Sequence, residues 1–185
     1  YIRKAEVLGY DKLRFMDHVL SIDMKRHPEV PEMAYDSHSE FHEVFTLMAY
    51  VAAVSRRIRL VTGVLVLTQR QALLVAKQAA CLDVLCGGRF RLGIGVGWNE
   101  AEFVGLNEDF HNRGRRSEEQ VQVMQALWAE PHVSFKGRWH TIDDAGIIAV
   151  LTKMVKQRRD SIEQYNAGGR PELADKEAAE IRIIE

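Results

Sequence analysis

Between Arg70 and Phe103 the chain reads RQALLVAKQAACLDVLCGGRFRLGIGVGWNEAEF: a helix, a double-glycine stop, a strand, a glycine-rich exit and a second helix. Leu74, Val75, Gln78, Cys81, Leu82 and Leu85 recur at helical spacing, and Gly87-Gly88 closes that helix. From Arg89 to Val96 the period drops to two. Phe90, Leu92, Ile94 and Val96 share one face; Arg89, Arg91, Gly93 and Gly95 share the other, which Gly97 continues. A strand of this kind is expected to lie with its apolar face under helices. Its bare face then stays open to something flat that approaches the backbone. Gly93, Gly95 and Gly97 are therefore expected to face the interior of the fold, beside a ligand site.

The same alternation of periods runs through the rest of the chain. It opens without methionine, inside an amphipathic helix closed by Gly9, and a strand is expected to precede that helix. Lys12 to Val19 is a short apolar strand ending on Asp17-His18, and residues 20–39 are loop-like. Glu40 to Val54 predicts a helix burying Phe41, Val44, Phe45, Leu47, Met48, Val51 and Ala52. Ile58 to Leu67 is nearly continuous apolar and β-branched, as in a parallel strand covered on both faces. Gly63 interrupts it and predicts a bulge or a close backbone approach. Asn107 to Arg116 reads as a polar loop, and Ser117-Glu-Glu-Gln120 as a capping box opening a helix to Ala129. Val133 to Thr141 predicts a small strand or hairpin around Lys136-Gly137.

Strands near 13–19, 58–67 and 89–97 separated by helices make a βαβαβ series, which builds a parallel sheet with right-handed crossovers. An open doubly wound sheet and a (β/α) barrel both satisfy it. The dinucleotide fingerprint would need a third glycine where this chain has Trp98, so a Rossmann reading is discounted. In a barrel, chemistry gathers at the carboxyl ends of the strands. Those ends carry Asp17-His18, Gly63 to Leu67, and Gly95 to Asn99.

Composition excludes several function classes. With 46% hydrophobic and 28% charged residues and a net charge of -1, the chain has a globular profile and no field to recruit nucleic acid or acidic membrane. No apolar run is long enough to span a bilayer, and no signal peptide is recognisable, so the cytoplasm is the expected compartment. Cys81 and Cys86, on one helix, read as small core residues rather than metal ligands. His38 and His42 have the spacing of a helical metal pair but no third ligand, and no metal is assigned.

The stretches DHVL at 17–20, RIRLVTGVLVL at 57–67, AKQAACLDVLCGGRFRLGIGVGWNEAEF at 76–103 and RGRRSEEQVQVMQALW at 113–128 resemble the luciferase-like monooxygenase family, most of all its coenzyme F-420-dependent oxidoreductase branch. For residues 1–147 the resemblance implies an α/β fold, part of a TIM-type barrel. It implies coenzyme F-420 at the carboxyl end, or FMN in its place, and hydride transfer or oxygen activation on a small-molecule substrate. Residue by residue it implies catalytic roles for His18 and Asp17. Thr62, Gly63 and Val64 would back the ring through a bulge that is often a non-proline cis peptide. Gly95, Val96, Gly97, Trp98 and Asn99 would touch the cofactor's chain and phosphate. Sugar-phosphate-oxidising relatives place an acidic glutamate at the position of Val96, and its absence here points away from that substrate class.

Residues 148–185 read differently. Leu151, Met154, Val155, Ile162 and Tyr165 form one helical stripe; Leu173, Ala174, Ala178, Ile181 and Ile184 form another. Gly168-Gly169 ends the first helix, and Pro171 suits the first turn of the second. This α-helical hairpin, with KMVKQRRDSIEQY and GRPELADKEAAEI, resembles the GatB/YqeY family, whose helical domain accompanies tRNA-dependent amidotransferases. The alternative function is therefore a tRNA-related binding module on an inactive barrel fragment. Acidic residues close by make Lys153, Lys156, Arg158 and Arg159 a solvated, salt-bridged face before an RNA contact. Strand edges left unpaired in a partial barrel are expected to favour self-association.

Overall fold

The computed structural model describes residues 1–21, 23, 25, 26, 38–130, 132–142 and 162–184. Helix α1 (Ile2–Val7) is closed by Gly9 in a left-handed turn, φ +86°. Strand β1 (Lys12–Phe15) follows, then α2 (Val44–Val54), β2 (Arg59–Thr62) and β3 (Leu65–Val66). A 3-10 turn (Leu67–Gln69) leads into α3 (Ala72–Leu85), which stops at Gly87 and Gly88, both at positive φ. Strands β4 (Phe90–Arg91) and β5 (Ile94–Gly95) precede α4 (Glu100–Gly105) and α5 (Arg113–Ala129). A short antiparallel pair, β6 (Phe135–Lys136) and β7 (Thr141–Ile142), comes next. Residues 162–167 are helical, and α6 spans Pro171–Ile184.

Three parallel strands form the sheet. β1 pairs with β2, β2 with β4, and β3 with β5. β2 and β3 are one strand broken at Gly63-Val64, whose peptide bond is cis; β4 and β5 are one strand broken at Leu92-Gly93. Val61 pairs with Arg91 and Leu65 with Ile94. Thr62, Gly63 and Val64 thus span what Leu92 and Gly93 span opposite. The central strand carries one extra residue, a bulge where Gly63 predicted it. The insertion flips side-chain parity: Ile58 and Leu60 enter the core before it, Leu65 and Leu67 after it.

The bulge would strand backbone groups, and side chains take their place. Gly93 N donates to the Thr62 hydroxyl at 2.8 Å, and that hydroxyl donates to the Gly93 carbonyl at 2.8 Å. Leu65 N reaches the same carbonyl at 2.8 Å. On the other side Val66 N donates to the Asp17 carboxylate at 3.0 Å. Buried amides need partners wherever the ladder fails, and these residues supply them.

The core lies between one sheet face and helices α2, α3 and α5. Its α2 contribution is Val44, Phe45, Met48, Val51 and Ala52; the helix begins at Val44, where Glu43 caps it by accepting from Thr46 N at 2.7 Å. Phe41, His38 and His42 precede it. In α3 the buried face takes only Val75 and Leu82 from the stripe of large residues. Leu74, Leu85 and Cys81 are exposed, while Ala72, Val75, Ala76, Ala79, Ala80 and Leu82 are buried. Alanines let α3 sit close to its neighbours, so contact distance outranks side-chain size here. Cys86 does join the core. α5 starts at Arg113, a turn before the capping-box serine, because Arg113 bonds the Phe110 and Gly97 carbonyls and Arg116 pairs with Glu108 and the Thr68 carbonyl. Those tertiary bonds overcome the poor fit of cations to a helix N-terminus.

Among the described residues the sheet is open, with β1 and β4 each paired on one side. The expected barrel is seen as this three-stranded part rather than as a closed ring. Its other face carries Lys12, Arg14, Arg59 and Arg91 around a groove of about 550 Å³. Of the expected tail hairpin, residues 148–161 lie outside the described residues. Tyr165 and Gln164 carbonyls cap the turn at Gly168-Gly169, and α6 lies against α3 with Ala174 buried.

The bare glycine face is filled, contrary to expectation. A Cβ at Gly93 would collide with the Thr62 carbonyl oxygen; at Gly95 it would lie 2.5 Å from Val64 Cγ2, and at Gly97 2.7 Å from Val66 Cγ1. Ile94 and Val96 meanwhile are exposed instead of lying under helices with Phe90 and Leu92. The glycines admit the bulged neighbour strand and α4. Gly93→Ala should therefore cost about 2 kcal/mol of stability. Urea unfolding with an unchanged midpoint would show that the strands are not packed this closely.

Candidate active site

The carboxyl end of β1 delivers two side chains in opposite directions. Asp17 turns into the fold and is 3% exposed. Besides Val66 N, its carboxylate takes Arg70 Nη2 at 2.7 Å. Arg70 extends the chain of contacts to Glu43 at 3.3 Å, and Gln120 Nε2 donates to the Arg70 carbonyl at 2.8 Å. Both Asp17 oxygens are thus engaged in joining β1, β3, α2 and α5. Such a group positions its neighbours.

His18 turns the other way. Its Nδ1 sits 3.3 Å from both oxygens of Glu102, itself 1% exposed on α4. The same carboxylate accepts from Val19 N at 2.9 Å, Leu20 N at 3.0 Å and Gln69 Nε2 at 3.1 Å. Burial pushes the Glu102 carboxyl up, but the bonds from His18, Leu20 N and Gln69 outweigh it and hold it below the ordinary carboxylate range. Phe41 and Trp98 stand edge-on to the His18 ring at centroid distances of 5.0 and 6.1 Å. An imidazole backed by an ionised carboxylate and walled by aromatic rings can hold or pass a proton.

The other expected residues fall into two groups. Val64, Val96 and Trp98, at the strand ends, are 42%, 43% and 37% exposed, beside exposed Met16 and Ile94. Thr62 and Asn99 are buried, with Thr62 spent on Gly93. Asn99 occupies the N-cap position of α4 but makes no side-chain cap bond. Gly97, φ +78°, turns the chain so that its carbonyl accepts from Arg113 Nε at 3.2 Å; Thr68 Oγ1 donates to the Val96 carbonyl at 3.1 Å. Gly63 and Gly95 sit inside the bulge packing described above.

Sequence reasoning passed over Glu102, Arg70 and Gln69. Asn99 and Glu102 have capping-box spacing, which assigns Glu102 to its own helix end. The available signal was its position beside Phe103, which is fully buried, on a helix too short to hide a carboxylate without outside partners. Among the described residues no three of His, Cys, Asp and Glu gather as a metal site would need, and no helix is long and apolar enough to cross a membrane.

Comparisons with known proteins agree with this fold. The family described as luciferase-like monooxygenase matches residues 1–181, running past the expected junction at 147–148. The chain is 43% identical over 107 residues to pyrimidine monooxygenase RutA of Bradyrhizobium sp., covering 55% of this chain and 29% of that one. Against RutA of Escherichia coli (strain SMS-3-5) it is 37% identical over 110 residues, 57% of this chain and 30% of the relative. It thus spans under a third of the length of these relatives. Among solved structures, monooxygenase RslO1 of Streptomyces bottropensis superposes with TM-score 0.62 at 20% identity, over 96% of this chain and 59% of that one. An F420-dependent secondary alcohol dehydrogenase gives 0.63 at 22% identity, over 80% and 42%. A type II Baeyer-Villiger monooxygenase of Pseudomonas putida in complex with FMN gives 0.58 at 16%, over 76% and 36%. These likenesses below 25% identity establish a shared fold.

Asp17→Asn should be strongly destabilising, by about 3 kcal/mol, because an amide would set its own N–H₂ against Val66 N or Arg70 Nη2 and leave the arginine half-paired. Chemical denaturation of the variant measures this. A loss below a few tenths of a kcal/mol would mean that the carboxylate does not bind these strands together.

Proposed function

Because the chain belongs to the luciferase-like monooxygenase family, we propose that it carries the His18 side of a flavin-dependent oxidoreductase site at the carboxyl ends of its strands. The observation that carries this reading is the His18 ring, held from behind by Glu102 and walled by Phe41 and Trp98. Exposed apolar side chains at the same strand ends, Met16, Val64, Ile94 and Val96, suit the flat face of a tricyclic ring. Arg113, already bonded to the Gly97 and Phe110 carbonyls, is a candidate cation for an anionic tail.

When bound, the flavin supplies two-electron chemistry, as hydride transfer or oxygen activation. The chain's own part is to hold a proton at His18 and to exclude water with Phe41 and Trp98. FMN is favoured over F-420, since the relatives at 37–43% identity are named monooxygenases and the FMN-bound neighbour is one too. Their names also make a pyrimidine the first small-molecule substrate to test. The tail belongs to this reading as cover for α3 and not as a separate tRNA-related module, because α6 lies on α3. Self-association through the singly paired edge strands remains part of it.

Titration of the purified chain with FMN and with F-420, followed by fluorescence with light scattering on the same sample, tests the reading. FMN should bind saturably and more tightly, and His18→Ala should keep that affinity while lowering turnover by roughly a hundredfold. Absence of saturable binding by either cofactor, or full turnover by the variant, would overturn it.

A further inference from the structure

We propose that Glu102 is the positioning residue for His18: it fixes the neutral ring as the Nδ1–H tautomer and so leaves the lone pair of that ring on Nε2. The inference rests on the reading above for what His18 then does, but the hold on the ring follows from the geometry alone. Four donors converge on one buried carboxylate: Val19 N, Leu20 N, Gln69 Nε2 and His18 Nδ1. The first three can only donate, so they fix the carboxylate as an acceptor on both oxygens. Its pKa is lowered, as described, so it is ionised and carries no proton to give. Nδ1, equidistant from the two oxygens at 3.3 Å, must therefore be the protonated nitrogen, and the lone pair of the neutral ring lies on Nε2.

The same carboxylate also fixes the ring's place. Val19 and Leu20 follow His18 directly, so the bonds to their amides close the turn that carries the imidazole. Gln69 ties this turn to the segment after β3. Glu102 reaches from α4, which follows Trp98, so the histidine and one aromatic wall are set by a single helix. A group that acts in this way touches no reacting atom; its removal should change the protonation behaviour of the site before it changes the fold.

Nitrogen NMR of the histidine-labelled chain reads the tautomer directly, without cofactor. The wild-type chain should show His18 with a protonated Nδ1 and an unprotonated Nε2 above its titration. Glu102→Gln should shift the population toward Nε2–H, displace the pH profile of turnover and lower it roughly tenfold or more. A wild-type ring that is Nε2–H overturns the proposal whether or not the variant folds. So does a folded Glu102→Gln chain with unchanged tautomer and pH profile. If His18→Ala leaves turnover intact while the wild-type ring is Nδ1–H, the catalytic role proposed for His18 fails and the hold of Glu102 on the ring stands.

Discussion

One extra residue in the central strand governs the arrangement of this chain. Val61 and Leu65 are separated by three residues where their partners Arg91 and Ile94 are separated by two, so the backbone ladder cannot run through. Bulges in parallel sheets are rare because each leaves unpaired amides inside the fold. Here Thr62 closes the gap toward the third strand and Asp17 closes it toward the first. Burying Asp17 then demands a counter-charge, which Arg70 supplies and Glu43 shares. With Asp17 turned inward, the next residue, His18, is turned toward the strand ends.

A second device repeats around the fold. Carboxylates clasp runs of consecutive backbone amides in the loops between elements. Glu102 takes Val19 and Leu20; Glu6 takes Arg56, Arg57 and Ile58; Glu119 takes Arg138, Trp139 and His140. Bonds from the amides of Arg57, Ile58 and Arg56 hold the Glu6 carboxyl down to about 2. For Glu119 burial works upward, and the His140 ring with the three amides brings it to about 2. An ionised carboxylate accepting several N–H groups is a strong and directional anchor. Loops fixed in this way can present side chains at defined positions without secondary structure of their own.

Periodicity made the elements legible because strands and helices impose their spacing on neighbouring residues. The strand expected near 89–97, seen as two short pieces, the glycine stop at 87–88, the interruption at Gly63 and the strand end before His18 were all readable for that reason. What bonds across the sequence was not. Asp17 and Arg70, or His18 and Glu102, meet only after the sheet has formed, and no local pattern marks either pair. Glycine was ambiguous in the same way: a missing side chain marks a close approach but not what approaches, and at 93, 95 and 97 it is the protein itself. The alanine face of α3 defeated a reading based on side-chain size, since close helix contact selects small residues.

The account stands on side chains replacing the rungs that the bulge removes. Residue-resolved hydrogen exchange of the free chain tests this directly at Gly93 and Val66, whose amides bond to Thr62 and Asp17, with Leu65, which bonds backbone, as the reference. The account predicts that Gly93 and Val66 exchange together with Leu65, in the slow class of the sheet. Exchange of Gly93 and Val66 at the rate of an open loop, with Leu65 still protected, would contradict it.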